Sequence, residues 1–340
     1  MRAISAPDSV SFAIQRTRDF LFRPFSWGTY LKLGLVAIIT EGLGGNLNSS
    51  SHNGQSGGHG PIFTSPSNLV PVAIAAAFAL ALVAVILLAV FYLITRLRFA
   101  FFHCLVHNVK EIRPGWGFYR EQATRFFWMN VVVGFCYLLG VVLISLPFVS
   151  GFVRLFHESQ QGGHFDIGLM LSLVLPLIPI IFLLVLAGIA LDVILRDWML
   201  PHYALENATA GEAWFQVRAR IAAEKRQFFV YALLRLVLPV IAMVVLFMVL
   251  LLPGLALAGS LAAVEFGLHS AFADAAGASA LVGKLLEVFF AVLAFGFTVL
   301  GSICLGGPLS TGIREYALVF YGGRYQALGD ALYPPVVRPA

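Results

Sequence analysis

Long apolar runs separated by short polar connections set the pattern of this chain. A helix needs about 20 mostly apolar residues to cross a bilayer, and six segments meet or approach that length. They are 26–43, which is short, 69–95, 126–150, 168–194, a run from Phe228 past Pro253, and 285–306. Residues 69–95 carry no charge, and the fifth run has only Arg235 inside it. That run is longer than one crossing needs, so it is tilted, kinked or extended beyond the membrane. Pro176 and Pro179 predict kinks in the fourth segment. The pattern predicts an all-α fold, an integral membrane bundle of about six transmembrane helices forming one polytopic domain over residues 1–340.

Two of the connections share a form. Residues 97–116 read LRFAFFHCLVHNVKEIRPGW and residues 195–214 read LRDWMLPHYALENATAGEAW. Each opens on Leu-Arg, ends on Trp (Trp116, Trp214) and mixes aromatic with basic residues. Thr209 and Glu212 have the spacing of a capping box, and the helix they open places Trp214, Val217 and Ile221 on one side. In the first copy Pro114 stands where a helix can start; Trp116, Tyr119 and Phe126 then alternate with Arg113, Arg120 and Arg125. The N-terminal arm, 1–25, mixes Phe12, Ile14, Phe20 and Phe22 with Arg16, Arg18 and Arg23 before Pro24 breaks it. In the C-terminal arm, 308–340, Pro308 starts a helix that Gly322-Gly323 ends. Helices of this kind lie in the interface, with aromatic rings at headgroup depth and Arg toward water or lipid phosphate. The expectation is a weak internal repeat of span, amphipathic cytoplasmic elbow and span, anchored by Trp116 and Trp214.

Composition agrees with the apolar pattern. Of 340 residues 59% are hydrophobic and 11% charged, against about 25% charged in soluble domains. The net charge of +5 belongs to topology and implies no nucleic-acid partner. Connection 42–66 has no Lys or Arg, 151–167 has only Arg154, and 266–284 has only Lys284. The arms and the 96–125 and 195–226 connections hold nearly all the rest. The asymmetry places both termini in the cytoplasm of a multi-pass protein of the bacterial cytoplasmic membrane. Cys104, Cys136 and Cys304 lie far apart in apolar surroundings and form no disulfide framework.

Candidate chemistry is sparse. Residues 42–60, GLGGNLNSSSHNGQSGGHG, are Gly/Ser-rich but hold no Lys and follow no strand; 42–66 reads as a flexible external loop rather than a phosphate cradle. His103 and His107 share a helix face at i, i+4, and His202 occupies the related place in the second copy. Three imidazoles are the weak candidates for a metal, against the plainer reading of interfacial residues with polar tips. Asp192 and Arg235 are the ionisable pair expected inside the membrane boundary, paired with each other because unpaired charge there is costly. Arg196 and Asp197 can complete that network. Glu41, Glu265 and Glu287 fall near the external ends of their spans. No cofactor motif is present in the sequence.

Three stretches, TRDFLFRPFSWGTYLKLGLVAI (17–38), RLRFAFFHCLVHNVKEIRPGWGFYREQATRFFW (96–128) and RDWMLPHYALENATAGEAWFQVRARI (196–221), resemble a family of uncharacterised bacterial polytopic membrane proteins. More distantly, the chain is similar to the membrane domain attached to some glycerophosphoryl diester phosphodiesterases. The likeness covers most of the chain except the external loops. It implies a membrane module and no reaction: the family brings no catalytic residues, and no connection is long enough to hold the phosphodiesterase domain.

The sequence therefore reads as a non-enzymatic membrane protein that handles lipid or another amphiphile at the cytoplasmic leaflet. Arg113, Arg120, Arg125, Arg218, Arg220, Lys225 and Arg226 are the expected phosphate contacts, and membrane lipids the expected partners. The alternatives are an accessory subunit bound to other membrane protein subunits and a small-solute transporter, against which stand the few polar groups within the spans.

Overall fold

The structure, a computed structural model, describes residues 4–42, 69–160, 167–272 and 278–334. Those residues are helical almost throughout, with no strand among them. In chain order the helices are α1 (Ala6–Phe22), α2 (Trp27–Gly42), α3 (Leu69–His107), α4 (Ile112–Phe118), α5 (Arg120–Gln160) and α6 (Ile167–Val193). After a π-helical turn, Ile194–Met199, come α7 (Leu200–Leu205), α8 (Ala210–Ala223), α9 (Lys225–Phe272), α10 (Ala278–Gly322) and α11 (Gln326–Leu332).

Five helical stretches among the described residues are long and apolar enough to cross a membrane: Ile74–His107, Arg120–Val153, Met170–Leu205, Lys225–Met248 and Leu281–Gly322. This is the build of a multi-pass membrane protein. The sixth expected segment, α2, has 16 residues, about 24 Å of helix, and falls short of that length. Pro308 does not start a new helix as the sequence suggested. It lies inside α10, so the expected C-terminal arm is the last third of one long helix, followed by α11. Gly322 does end it, as expected. Pro176 and Pro179 lie inside α6 without ending it.

The helices gather in two compact units. One holds α1, α2, the segment His103–Glu111, α9, α10 and α11. The other holds α3 up to Phe102, then α4 to α8 with the π-helical turn.

In the first unit α1 is docked on α10 and α9 rather than left as a free arm. Ser5 caps α1 by accepting from the Asp8 N–H, and Ala6, Ser9, Ala13, Thr17, Phe20 and Leu21 form its buried stripe. That stripe is mostly small, which lets the helices approach closely. The larger Phe12, Ile14 and Phe22 stay exposed. Tyr231 stacks on Tyr316 and Phe320 at ring distances of 4.9 and 4.4 Å, joining α9 to α10. α2 crosses α10 at glycines. A Cβ on Gly307 would stand 2.7 Å from the Gly34 Cα, and a Cβ on Gly34 would meet Ile303 at 3.3 Å. Ile38 packs against Gly306 one turn further along α2. Successive turns of α2 thus meet the same turn of α10.

In the second unit the expected elbow aromatics form a core. Phe126 meets Phe99 and Tyr203 edge-on at 5.5 and 5.2 Å, and Tyr119 lies 5.9 Å from Phe99. Tyr119 and Phe126 are buried, not set at an interface as the sequence suggested. Tyr137 on α5 donates to the Leu184 carbonyl on α6 at 2.7 Å, in the space that Gly188 leaves open.

Candidate functional site

An apolar groove of about 450 Å³ runs along the first unit between α1, α9 and α10. α1 contributes Val10, Ala13, Ile14, Thr17, Arg18 and Phe22, residues of one helical stripe. Leu238 and Ala242 of α9 and Pro308, Leu309 and Ile313 of α10 close the other walls. The groove has two charged lining residues, Arg18 and Arg235. Its volume lies within the range of small-molecule sites, about 300–1,000 Å³.

Arg235 is the buried one of the two. Its guanidinium donates to Glu41 Oε2 at 3.1 Å, and the two side chains are 9% and 5% exposed. The expected pairing of Asp192 with Arg235 is therefore corrected. Asp192 pairs instead with Arg196 at 3.4 Å, one helical turn along, in the second unit. Local spacing gives Arg196 to Asp192, and the approach of α2 gives Glu41 to Arg235. Glu41, expected near the external end of its span, is buried against Arg235, ten positions into α9. Of the other two glutamates, Glu287 lies on α10 and does not line the groove, and the side chain of Glu265 lies outside the described residues.

A second charged cluster, at the end of α10, escaped the sequence reading. Glu315, fully buried, lies 2.9 Å from the Arg16 guanidinium. Arg16 also donates to the carbonyl oxygens of Leu105 at 2.7 Å and Leu332 at 3.3 Å. One side chain of α1 thereby holds α10, the end of α3 and α11. Beside it lies a more polar cavity of about 640 Å³ bordered by Gln15, Asp19, His107 and Asp330. Arg324 pairs with Glu224 at 2.9 Å, donates to the Ile4 carbonyl at 3.0 Å and lies 4.1 Å from the Phe320 ring centre. The two ion pairs join residues 299 and 100 positions apart, and no local periodicity signals them.

The expected phosphate contacts are divided between the units. Arg113, Arg120, Arg125, Arg218 and Arg220 belong to the second and Lys225 and Arg226 to the first. All are exposed except Arg220, which is half-buried. Arg125 forms an i, i+4 pair with Glu121, and Arg220 donates to Gln216 at 3.3 Å. The two anchors differ. Trp116 holds Arg96, whose guanidinium lies 4.4 Å from its ring and donates to its carbonyl at 2.8 Å. Trp214 is 47% exposed, beside the buried stripe of Ala213 and Val217.

The capping box is formed. The N–H of Thr209 donates to Glu212 Oε2 at 2.8 Å, and Thr209 Oγ1 accepts from the Glu212 N–H at 3.4 Å. The hydrogen bond from the Thr209 backbone, and then that from its hydroxyl, lower the Glu212 pKa from its ordinary value. Burial raises that of Tyr119. Both elbows also turn on an asparagine in the left-handed region, Asn108 at φ 53° and Asn207 at φ 51°. Asparagine tolerates that conformation better than most residues. After each, a backbone N–H reaches back into the helix just ended, Val109 to Cys104 and Ala208 to His202.

Among the described residues no group of three or more His, Cys, Asp or Glu is placed to hold a metal ion. His103 and His107 lie ring to ring at 4.5 Å. His202 is fully buried with its own partners, Glu206 at 3.3 Å on Nδ1 and Arg220 at 3.4 Å on Nε2. Since Arg only donates, Nε2 accepts and Nδ1–H donates to the carboxylate.

Residues 4–331 match a family described as a family of unknown function (DUF7544). The chain belongs to this family. The match takes in α1, both elbows and nearly all of α11, so the whole helical frame is the family's. No curated protein and no solved structure matches the chain. The membership agrees with the resemblance to uncharacterised membrane proteins; nothing in these matches bears on the membrane domain of glycerophosphoryl diester phosphodiesterases.

Proposed function

We propose that the protein is a non-enzymatic membrane module that binds a lipid or another amphiphile at the cytoplasmic leaflet. The observation that carries this reading is the groove between α1, α9 and α10: apolar walls, two arginines and a volume fit for part of an amphiphile. Its direction fits as well. The Glu224–Arg324 pair marks one end of the first unit. From there the groove follows α9 from Arg235 to Ala242 and α10 back from Tyr316 to Pro308, into stretches long and apolar enough to cross a membrane.

The reading includes six crossings with both termini cytoplasmic. α1 and α11 meet at one end of the first unit, through Arg16 and the Leu332 carbonyl. A chain whose ends meet on one side crosses an even number of times, and the five long helices supply an odd number. The short apolar α2 is the remaining candidate for the sixth.

The test is native mass spectrometry of the full chain extracted gently from its own membrane. The expected result is a retained lipid or lipid-linked species that is lost in Ala242→Trp, which fills the groove. A chain that retains none, or retains the same species in Ala242→Trp, overturns the reading.

A further inference from the structure

We infer that the groove takes one acyl chain of an anionic phospholipid, with the phosphodiester at Arg18. The inference rests on the amphiphile reading above and adds the charge and the source of the ligand. The charges around the groove decide the sign. Arg235 is buried and matched by Glu41, so it presents little uncompensated charge. Arg18 is 60% exposed, and its neighbour Asp19 is shared: Asp19 Oδ1 lies 3.8 Å from Arg18 and 3.4 Å from Arg23. Two guanidinium groups face one carboxylate there, which leaves one positive charge at the edge of an apolar channel. A monoanionic headgroup balances it, and Arg is the side chain best shaped to grip phosphate oxygens.

The surroundings of Arg18 favour a bilayer lipid as the source. Ile14 and Phe22 flank it one turn away on the same stripe of α1, and they are 63% and 43% exposed. Exposed large apolar side chains beside an exposed cation are the arrangement of a helix at a membrane interface. Phosphodiesters lie at that level, with their acyl chains directed inward. From Arg18 the remaining walls, Leu238, Ala242, Leu309 and Pro308, are apolar.

The test uses the full chain in a mild detergent, incubated with phosphatidylglycerol, with phosphatidylcholine of the same acyl chains, or with the matching diacylglycerol, and read by native mass spectrometry. The expected result is preferential retention of one phosphatidylglycerol. Arg18→Gln should lower its occupancy about fivefold, and Lys284→Gln, at an exposed cation outside the groove, should not. Ala242→Trp should abolish retention of all three lipids, and Ile14→Gln, on the exposed wall, should weaken it in a chain whose core is untouched. Equal retention of the three lipids, unmoved by Arg18→Gln but lost in Ala242→Trp, overturns the anionic assignment and leaves the amphiphile reading standing. Retention that survives both Ala242→Trp and Ile14→Gln, or no retention at all, overturns both.

Discussion

The pair between Arg235 and Glu41 shows what a single residue can settle in this protein. Both side chains are nearly free of solvent, and a charge in an apolar bundle is costly unless it is matched. Removing one member of a buried pair leaves the other uncompensated, at a cost of about 3–5 kcal/mol, whereas replacing both with apolar groups is often close to neutral. Glu41→Gln is therefore expected to lower thermal stability in detergent sharply, and Glu41→Gln with Arg235→Leu to recover much of the loss. A double variant as unstable as the single one would show that Arg235 is held by other contacts. The sequence showed Arg235 plainly, as the lone charge in a long apolar run. It could not name the partner, because charge pairing depends on which helices approach. Asp192 looked equally suitable until Arg196, four residues along, proved nearer. Thr209 and Glu212, three residues apart, were legible because their contact is local.

At the scale of elements the same division holds. Long apolar runs became long helices, and the excess length of the fifth segment became the continuous α9. Boundaries set by tertiary approach were misread. Pro308 looked like a helix start but lies within α10, because the residues before it continue the helix. The Tyr119 and Phe126 rings read as aromatics of an interfacial helix but are core, since burial among Phe99 and Tyr203 is decided by elements distant in sequence. The two elbow asparagines carry a local signal of their own: Asn directly before a break in the apolar pattern is a common helix ending. Among elements, the crossing of α2 and α10 gives the sharpest expectation. Gly307 has no room for a Cβ because the Gly34 backbone stands 2.7 Å from that position, while Gly134 on α5 has nothing within 4 Å. Gly307→Ala must push α2 away, at a cost of about 1–3 kcal/mol. Gly134→Ala should be neutral or stabilising by up to about 1 kcal/mol. Thermal unfolding of the two variants side by side checks this; equal effects would mean that the crossing is looser than its geometry.

At the scale of the whole molecule, everything turns on how α1 is used. A detached interfacial arm would leave the number of crossings open. Instead α1 is tied to α10 by the Arg16–Glu315 pair and to α11 through the Leu332 carbonyl, and Arg324 reaches back to the Ile4 carbonyl. The two ends of the chain thus hold each other, and the groove exists only because α1 forms its third wall. If the chain crosses six times, both ends face one side and the start of α10 faces the other. In a background with Cys104, Cys136 and Cys304 replaced, single cysteines at the exposed positions Ser11, Asp330 and Lys284 report this directly. Ser11→Cys and Asp330→Cys should react with an impermeant maleimide from the same side of a sealed vesicle, and Lys284→Cys only from the other. Reaction of Ser11→Cys and Asp330→Cys from opposite sides would mean an odd number of crossings. It would separate α1 from α10 and α11 by the membrane and remove the groove along with the topology.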